Sequence, residues 1–217
     1  AKRYRDFRKL LEQKDIDELS LELRKEKLDI LTLQGVSRYP EVATRMDILD
    51  SLSARCDMRQ AFGETIEISG RQSGNAVLST YPIRSSENTH YDGLRSNNFE
   101  AALEAIVDCG VRDVIVVSTE LPEPLTEDDK RTIANKMSAF GIQYLSDPMI
   151  ITGNLPTPDE LRTNAQYATL KPMNFDAAPR IWYSAGNTLK LMNQRIASTP
   201  FGARTIAEFG LIRKPGP

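Results

Sequence analysis

The sequence predicts an α/β sandwich of two β-sheets flanked by helices, and three observations carry that prediction. Apolar runs of strand length recur between segments with helical spacing: "LDILTLQ" (28–34), "RDVIVVSTEL" (112–121) and "PMIITGN" (148–154). Some strand-like runs follow one another directly while others are separated by a helix, a mixture that departs from a doubly wound nucleotide-binding sheet. No GxGxxG or GxxxxGK[ST] stretch occurs, so neither familiar phosphate-cradling loop is expected.

The elements follow in order. Residues 4–27 read as helical: "YRDFRKLLEQ" carries apolar positions at helical spacing, and "DIDELSLELRKEK" opens on an Asp cap and closes on basic residues. "LDILTLQ" is a strand. "PEVATRMDILDSLSAR" (40–55) places Leu, Ile and Met at helical spacing after a proline start. "GETIEISG" (63–70) alternates between glycines and predicts a strand in a hairpin, and "GNAVLSTYPI" (74–83) a second strand stopped by Pro82. "NNFEAALEAIVDCG" (97–110) fits a helix or a long strand, and its Ala and Glu content favours the helix, with Gly110 as C-terminal cap. The β-branched run of 112–121 is a buried strand. "TEDDKRTIANKMSAFG" (126–141) is a helix capped by Thr126, with acids in its first turn. "PMIITGN" is a buried strand, and "TPDELRTN" (157–164) opens a helix through Pro158. "RIWYSAGNTLKLMNQRI" (180–196) reads as strand, Gly-Asn turn, strand, and "RTIAEFGLI" (204–212) as a last short strand.

With 217 residues, 40% hydrophobic and 27% charged, the chain suits a single domain over 1–217, in which 1–27 forms a helical N-terminal segment. The net charge of −2 and pI of about 5.6 do not advertise a broad grip on nucleic acid. Cys56 and Cys109 show no zinc spacing and read as small buried or half-buried hydrophobes. No run approaches the roughly 18 apolar residues of a membrane span, and no signal peptide is visible, so a soluble protein is expected, its compartment open. His90 is the one histidine in the chain, which excludes any mechanism that needs two.

Five segments, in order, resemble the endonuclease/exonuclease/phosphatase (DNase I-like) superfamily. "LDILTLQGV" (28–36) is similar to that family's strand ending in Leu-Gln-Glu-Val, and "GRQSGNAVLSTYPI" (70–83) to its Gly-x-Ala-x-Leu-Ser-x-x-Pro-Ile strand. "VIVVSTEL" (114–121) resembles its strand ending in Thr-His-Leu, "MIITGNLPTPDEL" (149–161) its Gly-Asp-Phe-Asn turn, and "RIWYSAG" (180–186) its Arg-Ile-Asp-Tyr strand. A closing "ARTIAEF" (203–209) resembles the strand that follows Ser-Asp-His. The resemblance implies a DNase I-like four-layer sandwich. The family's first strand has no counterpart before residue 28; it is missing or replaced by the N-terminal helices.

What the resemblance implies about chemistry is a Mg²⁺-dependent phosphoester hydrolysis: a carboxylate holds the ion, an Asp–His pair activates water, the Asp and Asn of the turn orient it, and a further His, that of Thr-His-Leu, donates to the phosphate oxygens. At the matching positions this chain has Gly35 for the metal-binding Glu, Glu120 for the His, Asn154 and Pro156 for the turn's Asp and Asn, and Trp182 for the Asp of Arg-Ile-Asp-Tyr. "STPFGAR" (198–204), where Ser-Asp-His would stand, holds neither His nor acid. The chain therefore reads as a degenerate member, a pseudoenzyme serving as a binding or scaffold module or as a subunit of a larger assembly. No cofactor is expected, with Mg²⁺ implied only by the alternative, a phosphodiesterase or phosphatase rewired around Glu120, Asp92 or His90. Glu120 with Glu123 would otherwise be a solvated acidic loop. Trp182 is expected to plug the emptied cleft. Arg71, Arg95 and Arg180, with His90 in a polar loop, are the candidate ligands for an anion, and a protein partner is the other expected occupant.

Overall fold

The structure is a computed structural model that describes residues 13–39, 47–91, 101–121, 126–143, 146–153, 170–172, 180–184, 188–199 and 202–212. Its helices are α1 (Gln13–Glu26), α2 (Ile48–Cys56) and α3 (Glu127–Gln143). Its strands are β1 (Ile30–Arg38), β2 (Arg59–Ile68), β3 (Arg71–Ser79), β4 (Ile83–His90), β5 (Ala101–Asp108), β6 (Asp113–Thr119), β7 (Met149–Gly153), β8 (Leu170–Pro172), β9 (Arg180–Ser184), β10 (Leu189–Thr199) and β11 (Gly202–Leu211).

The side-chain periodicities stack these elements into four layers. On α1, Ile16, Leu19 and Leu23 recur at helical spacing; with Leu49 and Leu52 of α2 they bury the outer face of a three-stranded sheet ordered β1-β3-β2, whose outward residues are Leu31, Leu33, Phe62, Ala76 and Leu78. The alternate residues of that sheet, Ala61 and Val77, face Leu103, Ala105, Val107, Val114 and Val116 of a six-stranded sheet ordered β4-β5-β6-β7-β9-β8. The far face of the second sheet, with Ile115, Val117, Met149 and Ile151, is covered by Ile133 of α3. A separate hairpin, β10–β11, joins through Leu211 in the inter-sheet core, a ring contact between Tyr183 and Phe209 (centroids 5.3 Å apart) and an ion pair of Arg195 with Glu26.

Local chemistry accounts for the ends of the elements. Asp47 caps α2, its carboxylate accepting from the backbone N–H of Leu49 and Asp50. The same carboxylate takes the Arg38 guanidinium at 2.7 Å, which ties the end of β1 to α2. Thr126 and Asp129 bond reciprocally at the start of α3, as its sequence predicts. Ser69 and Gly70, both with positive φ, form the two-residue turn of the β2–β3 hairpin.

Four expectations need correction. The segment 97–110 is not a helix: residues 101–108 are β5, paired on both sides by β4 and β6 and buried on both faces. A strand buried on both faces loses its alternation, and pairing overrides the helix preference of Ala and Glu. The run 74–83 is not one strand: β3 ends at Ser79, ahead of Pro82, and β4 starts at Ile83; β4 is a polar strand on the sheet's edge, where alternation with apolar residues is not required. His90 consequently ends a strand instead of lying in a loop. Finally, α2 begins at Ile48 after the Asp47 cap, well beyond Pro40. The helix expected at 157–164 lies outside the described residues, as do residues 1–12. Among the described residues β1 pairs with β3 alone, on one edge. Among them, too, no helix is long and apolar enough to cross a membrane.

Candidate functional site

One end of the sandwich gathers the carboxyl ends of β1, β4, β6 and β7. On β1 the register slips between Leu33, opposite Ala76, and Val36, opposite Gly74, so that Gln34 and Gly35 together face Asn75 in a bulge. Gly35 takes φ +63, the left-handed region that side chains disfavour. Gln34 reaches across the layers, its Nε2 donating to Ser118 Oγ at 3.0 Å, while Ser118 Oγ donates to the Leu33 carbonyl at 3.2 Å. Thr152 and Thr32 bridge the same gap, hydroxyl to hydroxyl, at 2.8 Å.

Alternation along β6 then decides where Glu120 points. Val114, Val116 and Ser118 face the three-stranded sheet, and Glu120 is the next residue in that row. Its carboxylate arrives at Gly35: a Cβ added to Gly35 would lie 3.0 Å from Glu120 Oε2. Burial pushes the Glu120 carboxyl above the usual carboxylate range. Among the described residues it has no hydrogen bond or ion pair.

The strand registers put the histidine in the same row. His90 lies opposite Ala101, and continuing the β5–β6 register one residue beyond Ala102 and Thr119 sets Ala101 opposite Glu120. His90 and Glu120 thus flank one small residue, about 10 Å apart at two strand spacings. Asn75 of β3, fully buried, closes over this row, its Nδ2 donating to the Ala101 carbonyl at 2.8 Å. Asn88 of β4 donates through Nδ2 to the Glu64 carbonyl at 2.6 Å, and its Oδ1 packs where Gly63 lacks a side chain. The Oδ1 atoms of both asparagines are buried without a hydrogen-bond partner, a deficit worth roughly 1–3 kcal/mol apiece.

Solved structures superpose on this architecture over most of the chain. An endonuclease/exonuclease/phosphatase from Beutenbergia cavernae aligns with TM-score 0.70 and 13% identity, over 91% of this chain and 66% of that one. The human Nocturnin catalytic domain, solved with a bound sulfate anion, aligns with TM-score 0.66 and 16% identity, over 93% and 88%. A Bacteroides vulgatus endonuclease/exonuclease/phosphatase aligns with TM-score 0.69 and 12% identity, over 91% and 90%. This chain has the endonuclease/exonuclease/phosphatase fold. No family model matches the sequence, and neither does any curated protein. The chain thus spans just under two thirds of the Beutenbergia protein.

On the endonuclease/exonuclease/phosphatase frame, the residues singled out by resemblance part company. Gly35 and Glu120 meet. Trp182 does not enter the cleft: it pairs with Ile151 in the β7–β9 register and lies 3% exposed against Ile133 and Met149, on the helix-facing side of the sheet. The expectation that it plugs the cleft fails because paired residues share a face, and Ile151 faces α3. Arg71 stands at the exposed tip of the hairpin, donating from Nε and Nη2 to Ser37 Oγ. Arg180 pairs with Gly153 through the backbone. Asp92, Arg95, Glu123, Asn154 and Pro156 lie outside the described residues. Asn75 and Asn88 escaped the sequence reading. The signal for Asn75 was an amide at an inward position of an otherwise apolar strand.

The family's Mg²⁺ does not fit the donors described here. Gly35 offers no ligand atom, Glu120 stands as one carboxylate, and among the described residues no group of three His, Cys, Asp or Glu side chains could hold a metal ion.

A raised carboxyl makes a stability prediction with a definite sign. The folded state binds the Glu120 proton more tightly than the unfolded chain, so between the ordinary carboxylate value and the higher folded value stability falls as pH rises. Its contribution is most favourable below that window. Glu120→Gln is expected to flatten this slope and to gain on the wild type as pH rises from about 4 to 7. Urea midpoints across that range check it, and parallel curves for the two proteins would refute the burial.

Proposed function

We propose that this chain is a binding module on the endonuclease/exonuclease/phosphatase fold that does not carry out the family's metal-dependent phosphoester hydrolysis. The observation that supports this best is the Gly35 geometry. The position is not merely short of a carboxylate: its backbone is left-handed, and a Cβ there would press on Glu120 Oε2 at 3.0 Å. A carboxylate in the place of the resemblance-implied histidine repels a phosphate where that residue would donate to it. The single histidine in the whole chain supports the same conclusion, since a water-activating histidine and a phosphate-binding one cannot both be present.

Purified chain, incubated with Mg²⁺ or Mn²⁺ and a chromogenic phosphodiester or phosphomonoester, is expected to show no turnover above the metal alone. Metal-dependent cleavage would overturn the proposal. The shared row of His90 and Glu120 favours one second reading, a metal-free acid–base hydrolase. Turnover without metal that is lost in both His90→Ala and Glu120→Gln would replace the first reading with that one.

A further inference from the structure

Resting on the binding-module reading, and naming its ligand class, we propose that the His90–Ala101–Glu120 row roofed by Asn75 binds a cationic hydrogen-bond donor, a primary ammonium or guanidinium group, in place of a phosphate. The two sheets set these acceptors on their facing inner surfaces around Ala101 and Leu103. Glu120 comes from the six-stranded sheet, its carboxylate fitted against Gly35. Asn75 comes from the three-stranded sheet, fully buried, with one half of its amide spent on the Ala101 carbonyl and Oδ1 left unpartnered. Asn88 Oδ1, also unpartnered, lies two residues along β4 from His90, fitted against Gly63. Ala101 between the flanking side chains contributes only a methyl group.

Buried acceptors without donors are costly, and an unpaired, half-buried carboxylate adds to that cost; a ligand that brings N–H groups and a positive charge relieves both. A phosphate brings the opposite, oxygen acceptors and negative charge, to a site that already has both. A bare divalent ion suits the set less well, since one carboxylate and two amide oxygens leave most of its charge uncompensated. A guanidinium presents five donors in a plane and an ammonium three, enough in number for the carboxylate and the amide oxygens. Of the arginines expected to meet an anion, Arg71 stands at the hairpin tip, outside this row.

The test is an NMR titration of ¹⁵N-labelled chain with four probes at constant ionic strength: agmatine, a capped Gly-Arg-Gly peptide, MgCl₂ and inorganic phosphate. Saturable shifts of the Asn75 and Asn88 side-chain amides and of the Ala101 backbone amide are expected with agmatine or the peptide, and none with phosphate. The tighter of the two cations says whether a small amine or a protein side chain is the source. Glu120→Gln is expected to weaken the cation about tenfold or more, and Glu120→Asp, which keeps the charge but shortens its reach, to weaken it less. Saturation by phosphate, a response to Mg²⁺ alone, or no saturable response to either cation in the wild-type protein overturns the proposal without any variant. The same samples run in the phosphoester assay separate the two claims. Metal-dependent cleavage defeats the binding-module reading, whereas an inactive protein that ignores both cations defeats only the ligand class.

Discussion

Gly153→Ala is expected to destabilise the protein by about 4 kcal/mol, through two penalties that act at once. Gly153 ends β7 with φ +142, a conformation essentially reserved for glycine. It also pairs in parallel with Thr119, and a Cβ there would overlap the Thr119 carbonyl oxygen. That oxygen is backbone at the end of β6, so relief requires β6 and β7 to separate there. Backbone strain contributes roughly 1–3 kcal/mol and the forced separation a similar amount. Gly110 supplies the control, with φ +75 but nothing within 4 Å of an added Cβ. Gly110→Ala is expected to cost only about 1 kcal/mol. Urea unfolding of both variants decides the matter, and equal losses would show that the close approach of β6 and β7 plays no part.

Trp182→Ala is expected to cost about 3–5 kcal/mol, the range for emptying a large buried aromatic site. The indole fills the layer between the six-stranded sheet and α3, beside Ile133, Met149 and Ile151. Trp182→Phe keeps an aromatic ring there and is expected to lose less than half as much. Because Trp182 is the chain's one tryptophan, native fluorescence reports its surroundings without labelling. Emission is expected to be blue-shifted in the folded protein and unchanged by agmatine, since the ring lies on the other side of the sheet from the acceptor row. A ligand-dependent change in emission would place the indole in the cleft instead.

The sequence made some parts of this structure plain and hid others, for identifiable reasons. β6 and β7 show as β-branched runs because they are central in their sheet, β1 as a Leu-rich run because helices cover it although it lies at a sheet edge, and α3 shows through its capping residues. β5 misleads because two-sided burial removes the period-2 signal and leaves Ala, Leu and Glu at spacings a helix also satisfies. β4 was invisible because its residues are polar. At the site, Gly35 and Glu120 each stood out alone, as departures from a resembling pattern. That they touch is a property of two strands in different sheets, 85 residues apart by their numbers, which no local pattern records. Trp182 was placed on the wrong face because a motif fixes position along a strand, while the pairing register fixes direction.

The polarity that concealed β4 has a consequence of its own. Among the described residues the six-stranded sheet has β4 at one edge, and an unpaired strand edge is a template on which other chains can add strands and aggregate. β4 reads Ile-Arg-Ser-Ser-Glu-Asn-Thr-His, with Arg84, Ser85, Ser86 and Glu87 exposed in succession and Arg84 tied to Asp108 and Asp113. An incoming strand would have to strip water from that row and disturb those ion pairs while gaining almost no apolar contact. The residues that made this strand hard to recognise therefore also make it a poor seed for intermolecular β-structure.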